Sequence, residues 1–135
     1  MTYDKNRLIN MACQASQNAY APYSNFRVGS AVLAASGKIY VGVNVENSAF
    51  GSTICAERVA ISAAIAAGER EFLAIAIYNS DSLPNPCGAC LQVLAELAPS
   101  AQILVVSDAD TREYTLDQLL PKAFMEVERL KKRRS

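Results

Sequence analysis

Two runs, FLAIAIY over residues 72–78 and ILVV over residues 103–106, are apolar at nearly every position. A strand that faces water on one side alternates apolar and polar residues, so unbroken runs like these must be covered on both faces. Each lies next to a helical pattern. CAERVAISAAIAAG (55–68) is alanine-rich, carries Glu57 in its first turn and stops at Gly68, and CGACLQVLAEL (87–97) starts a second helix just after Pro86. Strand and helix in alternation, with buried strands, predict parallel pairing under helices on both faces.

Upstream, Leu8, Ile9, Ala12, Cys13, Ala15 and Ala19 recur at helical spacing, which predicts a helix over residues 4–19 with Cys13 buried as a small hydrophobe. Pro22 and Ser24-Asn25 make YAPYSNF a loop, and residues 27–48 read as two strands joined at Ser36-Gly37. A short helix is expected near Leu116–Leu120, followed by the segment AFMEVERLKKRR. The expected fold class is α/β, a three-layer α/β/α sandwich with a mixed sheet of about five strands, opened by an antiparallel hairpin. With 135 residues, residues 1–135 read as a single domain.

Charge narrows the partners. Basic and acidic residues number 13 each, so no global field draws the chain to nucleic acid or to an anionic membrane. Only KKRR at 131–134 favours a nucleic-acid partner, and a basic helix end is more often a solvated tail. No stretch approaches the ~18 uninterrupted apolar residues of a membrane span, and the first residues lack the apolar core of a signal peptide. The expected location is cytoplasmic, where thiols stay reduced, and there four cysteines point to a metal or to catalysis before a disulfide framework.

Cys55 opens one helix, and Cys87 and Cys90 open another. Helix starts carry unpaired N–H groups and the positive end of the dipole, both of which favour thiolate. Three thiolates from two helix ends can hold a zinc ion and leave its fourth position for water. Spacing alone leaves two other readings open: a closed site with Cys13 as fourth ligand, and a redox Cys-x-x-Cys pair that leaves Glu57 unexplained. Glu57 as a mere complement to the helix dipole would be worth only a few tenths of a kcal/mol.

The combination Cys55-Ala-Glu57 followed by Pro86-Cys87-x-x-Cys90 is the zinc deaminase signature with cysteine replacing the first histidine. With AYAPYSNFRVGSAV, GVNVENSAFGSTICAERVAI, NPCGACLQVLAE and LLPKAF in this order, the chain resembles the cytidine deaminase family, in its small type with three cysteine ligands. The resemblance implies one Zn2+ per subunit on Cys55, Cys87 and Cys90, with Glu57 as the proton shuttle. The implied reaction is hydrolytic deamination of cytidine and 2′-deoxycytidine to uridine and 2′-deoxyuridine, with release of ammonia, in pyrimidine salvage. A modified cytosine nucleoside, such as an antibiotic of the blasticidin type, is the alternative substrate.

Further roles come with the resemblance. Phe26 packs against the pyrimidine, the Ala56 N–H donates to its O2, and Asn44 and Glu46 hold the sugar 3′-hydroxyl. Phe124 enters the site of a neighbouring subunit, so a homotetramer with shared active sites is expected, with a nucleoside as its small-molecule partner. Period-two alternation puts Asn44 and Glu46 on one face of a strand, opposite Ile39, Val41, Val43 and Val45. Three thiolates leave a zinc site at minus one, where three neutral imidazoles would leave plus two, and Arg58, one turn after Cys55, is expected to offset that charge. Leu91 stands where the family often has arginine, and Phe50 where some members have tyrosine; neither touches the ligand set.

Overall fold

Asp4 opens the first helix by accepting the Arg7 N–H at 3.0 Å. In this computed structural model, which describes residues 2–126, the elements are α1 (Lys5–Ser16), β1 (Gly29–Ala34), β2 (Ile39–Val43), α2 (Ala56–Ala66), β3 (Phe72–Tyr78), α3 (Gly88–Leu97), β4 (Gln102–Val106), β5 (Thr111–Tyr114) and α4 (Leu116–Leu119), with a 3-10 turn at Phe50–Ser52. The sheet order is β2-β1-β3-β4-β5. β1 pairs antiparallel with both β2 and β3, β3 and β4 are parallel, and β5 returns antiparallel to β4. The three-layer α/β/α expectation and the parallel pairing of the two apolar runs both hold.

β3 shows how the layers are chosen. Its Ile75 and Ile77 join Val32, Ile103 and Val105 against Ala60, Ile61, Ala64 and Leu94 of α2 and α3. Its Ala74 and Ala76 join Ala31, Leu33 and Leu104 against Leu8 and Ala12 of α1. Large residues therefore fill the two-helix side, where each buried isoleucine or valine contributes about 1.5–3 kcal/mol. Small residues let the single helix lie close on the other. Gly29 marks the closest point there, since a Cβ on it would sit 2.6 Å from the Ser16 backbone N. Gly42 plays the same part on the opposite face, under α2, where a Cβ would lie 2.6 Å from the Ala56 carbonyl oxygen.

Two expectations are corrected. The first helix stops at Ser16, short of residue 19, because Tyr20 gives its N–H to the Asn44 carbonyl and takes the Glu46 N–H on its own. Cys13 is half-buried, not buried. The alternation through Asn44 and Glu46 holds: Val41 and Val45 are exposed, while Gly42 and Asn44 on the other face are buried. The expected five strands are completed by Thr111–Tyr114, a polar edge segment. The basic run at residues 131–134 lies outside the described residues.

Candidate metal centre and active site

Two backbone caps build the centre. Cys55 is the N-cap of α2 and Cys87 the N-cap of α3, both extended and neither capping its helix through its side chain, so these two cysteines stand at helix starts, where the first N–H groups lack intrahelical partners. Cys90 follows one turn into α3 and is fully buried. The three Sγ atoms lie within 4.8 Å of one another, with Cys87 and Cys90 3.4 Å apart. Cys13 sits on α1, across the sheet from α2 and α3, and no fourth ligand comes from it. A closed four-thiolate staple is thereby set aside.

The charge around these sulfurs is arranged for a cation. A hydrogen bond from Cys90, then Arg58, holds the Cys55 thiol down at about 5, while the same bond to Cys55 and then burial push Cys90 upward. Arg58 Nη2 reaches Cys55 Sγ at 3.6 Å and the Thr53 carbonyl at 3.4 Å. Its Nε is buried without a partner among the described residues. Three soft sulfur donors, one already biased to thiolate and backed by a guanidinium, fit a single Zn2+.

Glu57 is only 4% exposed. Its pKa is pushed up to about 7, first by burial and then by the charge of Cys55. A carboxyl group that changes protonation near neutrality, beside sulfurs that fit a metal, is equipped to accept a proton and return it. Ala56 is the first residue of α2, where a backbone N–H has no partner within the helix.

The remaining predicted residues gather through a small backbone ladder. Val45 exchanges two 2.9 Å hydrogen bonds with Ile54, the residue before Cys55. Tyr20 bridges Val45 from the other side. Asn44, Glu46 and the loop after α1 are thus tied to the start of α2. Asn44 is buried, its Oδ1 accepting the Val28 N–H at 3.0 Å and its Nδ2 donating to the Phe26 carbonyl at 2.7 Å. Glu46 Oε1 accepts the N–H groups of Tyr23 and Ser24 at 2.9 and 3.2 Å, and Oε2 accepts the Ser24 hydroxyl. Those bonds, the Ser24 hydroxyl foremost, hold its carboxyl below the usual range. Phe26 stands at the end of this loop with its ring partly exposed.

Phe124 follows α4 in the chain. Its carbonyl accepts from Gln92 Nε2 at 2.8 Å, while the side chain is 80% exposed. Leu91 is buried in the core beside α2 and α3, and Phe50 is exposed at the 3-10 turn. Sequence reasoning missed Ser24 and Tyr20. Ser24 reads as a turn former, and nothing in its identity announces a carboxylate 22 positions downstream as its partner.

Fold and site together define an α/β/α protein with a three-cysteine zinc centre and a buried acid at its side. Residues 2–106 match the cytidine and deoxycytidylate deaminase zinc-binding region, and the chain belongs to that family. Cytidine deaminase from Halalkalibacterium halodurans is 44% identical over 124 residues, spanning 90% of this chain and 94% of that protein. The crystal structure of cytidine deaminase from Burkholderia pseudomallei aligns with a TM-score of 0.86 at 42% identity, covering 90% of this chain and 100% of that one. That from Mycobacterium tuberculosis aligns with a TM-score of 0.81 at 40% identity, covering 93% and 100%.

Proposed function

We propose that the protein catalyses the hydrolytic deamination of cytidine and 2′-deoxycytidine to uridine and 2′-deoxyuridine with release of ammonia. The carrying observation is the buried Glu57 carboxyl beside three sulfurs that lie within 4.8 Å of one another. Cys55, Cys87 and Cys90 hold one Zn2+ per subunit. When bound, zinc supplies Lewis acidity sufficient to bring the pKa of a water to about 7. Glu57 takes one proton from the attacking water and gives it to the pyrimidine N3. It then takes the second proton of that water, by then the C4 hydroxyl, and gives it to the departing amine, so the water's oxygen stays on C4 and the amine leaves as ammonia. Glu57 suits both transfers because burial pushes its carboxyl up from the ordinary carboxylate range, toward a group that both takes and gives a proton. Arg58 draws charge from Cys55 through Nη2, and the Ala56 N–H donates to the pyrimidine O2.

Phe26 packs on the base. Asn44 and Glu46 hold the sugar 3′-hydroxyl, a reading supported by what their hydrogen bonds leave over: one Nδ2–H on Asn44 and one acceptor position on Glu46 Oε2. Residues 1–135 act as one catalytic unit in a cytoplasmic homotetramer with shared sites. An exposed Phe124 ring beyond α4, seeking cover, supports the sharing. Four free cysteines suit a reducing interior.

The test is zinc content per chain measured alongside ammonia release from cytidine. One zinc per chain with turnover is the expected result. Zinc without turnover would leave a structural centre, and turnover that survives in metal-free protein would overturn the assignment.

A further inference from the structure

We infer that Ser24 is a positioning residue that sets sugar recognition through Glu46. The inference rests on the reading that Asn44 and Glu46 hold a sugar hydroxyl. The Ser24 side chain works in two directions: its hydroxyl donates to Glu46 Oε2, and its oxygen accepts the Phe26 N–H at 3.0 Å. One hydroxyl thereby joins the carboxylate that faces the sugar to the backbone of the aromatic that faces the base.

An ionised carboxylate has about four acceptor positions. Glu46 uses three, two on Oε1 for the Tyr23 and Ser24 N–H groups and one on Oε2 for the Ser24 hydroxyl. The two backbone donors sit on one oxygen only. Without the hydroxyl, Oε2 is held by nothing on the loop, and the terminal torsion of glutamate is broad and roughly two-fold. The hydroxyl therefore fixes the plane of the carboxylate and leaves one Oε2 position open. A sugar hydroxyl that donates to that position and accepts the spare Asn44 Nδ2–H satisfies both residues. A sugar lacking it leaves both unpaired, which is the costly direction for polar recognition.

The experiment compares cytidine with 2′,3′-dideoxycytidine, whose sugar offers neither ring hydroxyl, on the zinc-loaded enzyme. Ser24→Ala should lower kcat/KM for cytidine about tenfold, chiefly through KM, and should change that for the dideoxynucleoside less than about twofold. Ser24→Thr, which keeps the hydroxyl, should restore most of the cytidine value. Equal losses on both substrates would make Ser24 a loop-folding residue and overturn the inference, as would unchanged cytidine kinetics. Glu46→Ala separates the two layers. If it weakens cytidine alone while Ser24→Ala shows no such split, the inference falls and the sugar reading stands; if Glu46→Ala weakens both substrates equally, the sugar reading falls and the inference with it.

Discussion

Replacing Gly42 by alanine tests how closely α2 must sit on the sheet for the metal centre to form. The added Cβ would lie 2.6 Å from the Ala56 carbonyl oxygen and 2.9 Å from the Ala60 Cα, and closer still to the Ala60 N, where ordinary contact begins at 3.4 Å. These are helix backbone atoms, so no side chain can swing aside. Overpacking of this kind costs about 1–3 kcal/mol of stability. α2 must retreat, taking Cys55 and Glu57 away from Cys87 and Cys90 on α3, and a misplacement of about 1 Å costs about 10²-fold in rate.

Gly29→Ala is the control. Its Cβ meets Ser16 of α1 at 2.6 Å, on the face away from the sulfurs. Urea unfolding should show both variants destabilised. Under folded conditions, kcat/KM and zinc retention should collapse only for Gly42→Ala, with Gly29→Ala within about threefold of the parent. A Gly42→Ala stability within about 0.5 kcal/mol of the parent, or equal losses of rate in the two variants, would refute the close-approach argument.

Glu57→Gln should keep fold and zinc and lose at least ~10²–10⁴-fold in kcat, because an amide cannot carry the proton; a variant above about a tenth of the parent rate would reduce Glu57 to a dipole partner. Arg58→Ala should keep zinc and move the rising limb of the pH–rate profile to higher pH, since Cys55 loses its Nη2 donor; an unchanged profile would remove the charge-offset role. Glu57→Ala and Phe124→Ala chains, unfolded and reassembled together, should regain turnover above the sum of the two alone if sites are shared. Glu69 accepts from Ser36 and Tyr40 at 2.8 Å, and these bonds, Ser36 first, hold its carboxyl below the ordinary 4.5. Its contribution to stability is therefore full above the ordinary value and lost as pH falls through the lowered one. Chemical unfolding of parent and Glu69→Gln should differ at neutral pH and converge in acid; a gap that widens in acid would reverse the sign.

The position of the metal centre was legible because its information is local, although spacing alone left a closed site and a redox pair open and the signature with Glu57 decided among them. Cys55, Cys87 and Cys90 each stand at a helix start that glycine, proline and apolar spacing announce, and the paired apolar runs demand helices on both faces. β5 was not legible for the opposite reason. Thr111–Tyr114 lies at the sheet edge, exposed at three of its four positions, and it pairs through its backbone, so no side-chain periodicity marks it. In β2 the alternation was legible but not which face α2 covers, because the helix packs on a glycine: Gly42 is buried by what it lacks. The clamp of Ser24 and Glu46 joins a turn to a strand extension, and only the folded backbone brings them together.

The double bond of hydrogen bonds between Val45 and Ile54 has one more consequence. The chain that leaves the ladder at Val45 comes back to the same point at Ile54, so the intervening segment, with Phe50 at its outer turn, is a detour whose length does not alter the spacing of Glu46 from Cys55 across the ladder. Changes in the part of that detour beyond Glu46 can reshape the exposed surface around Phe50 while leaving Cys55 where the ladder holds it.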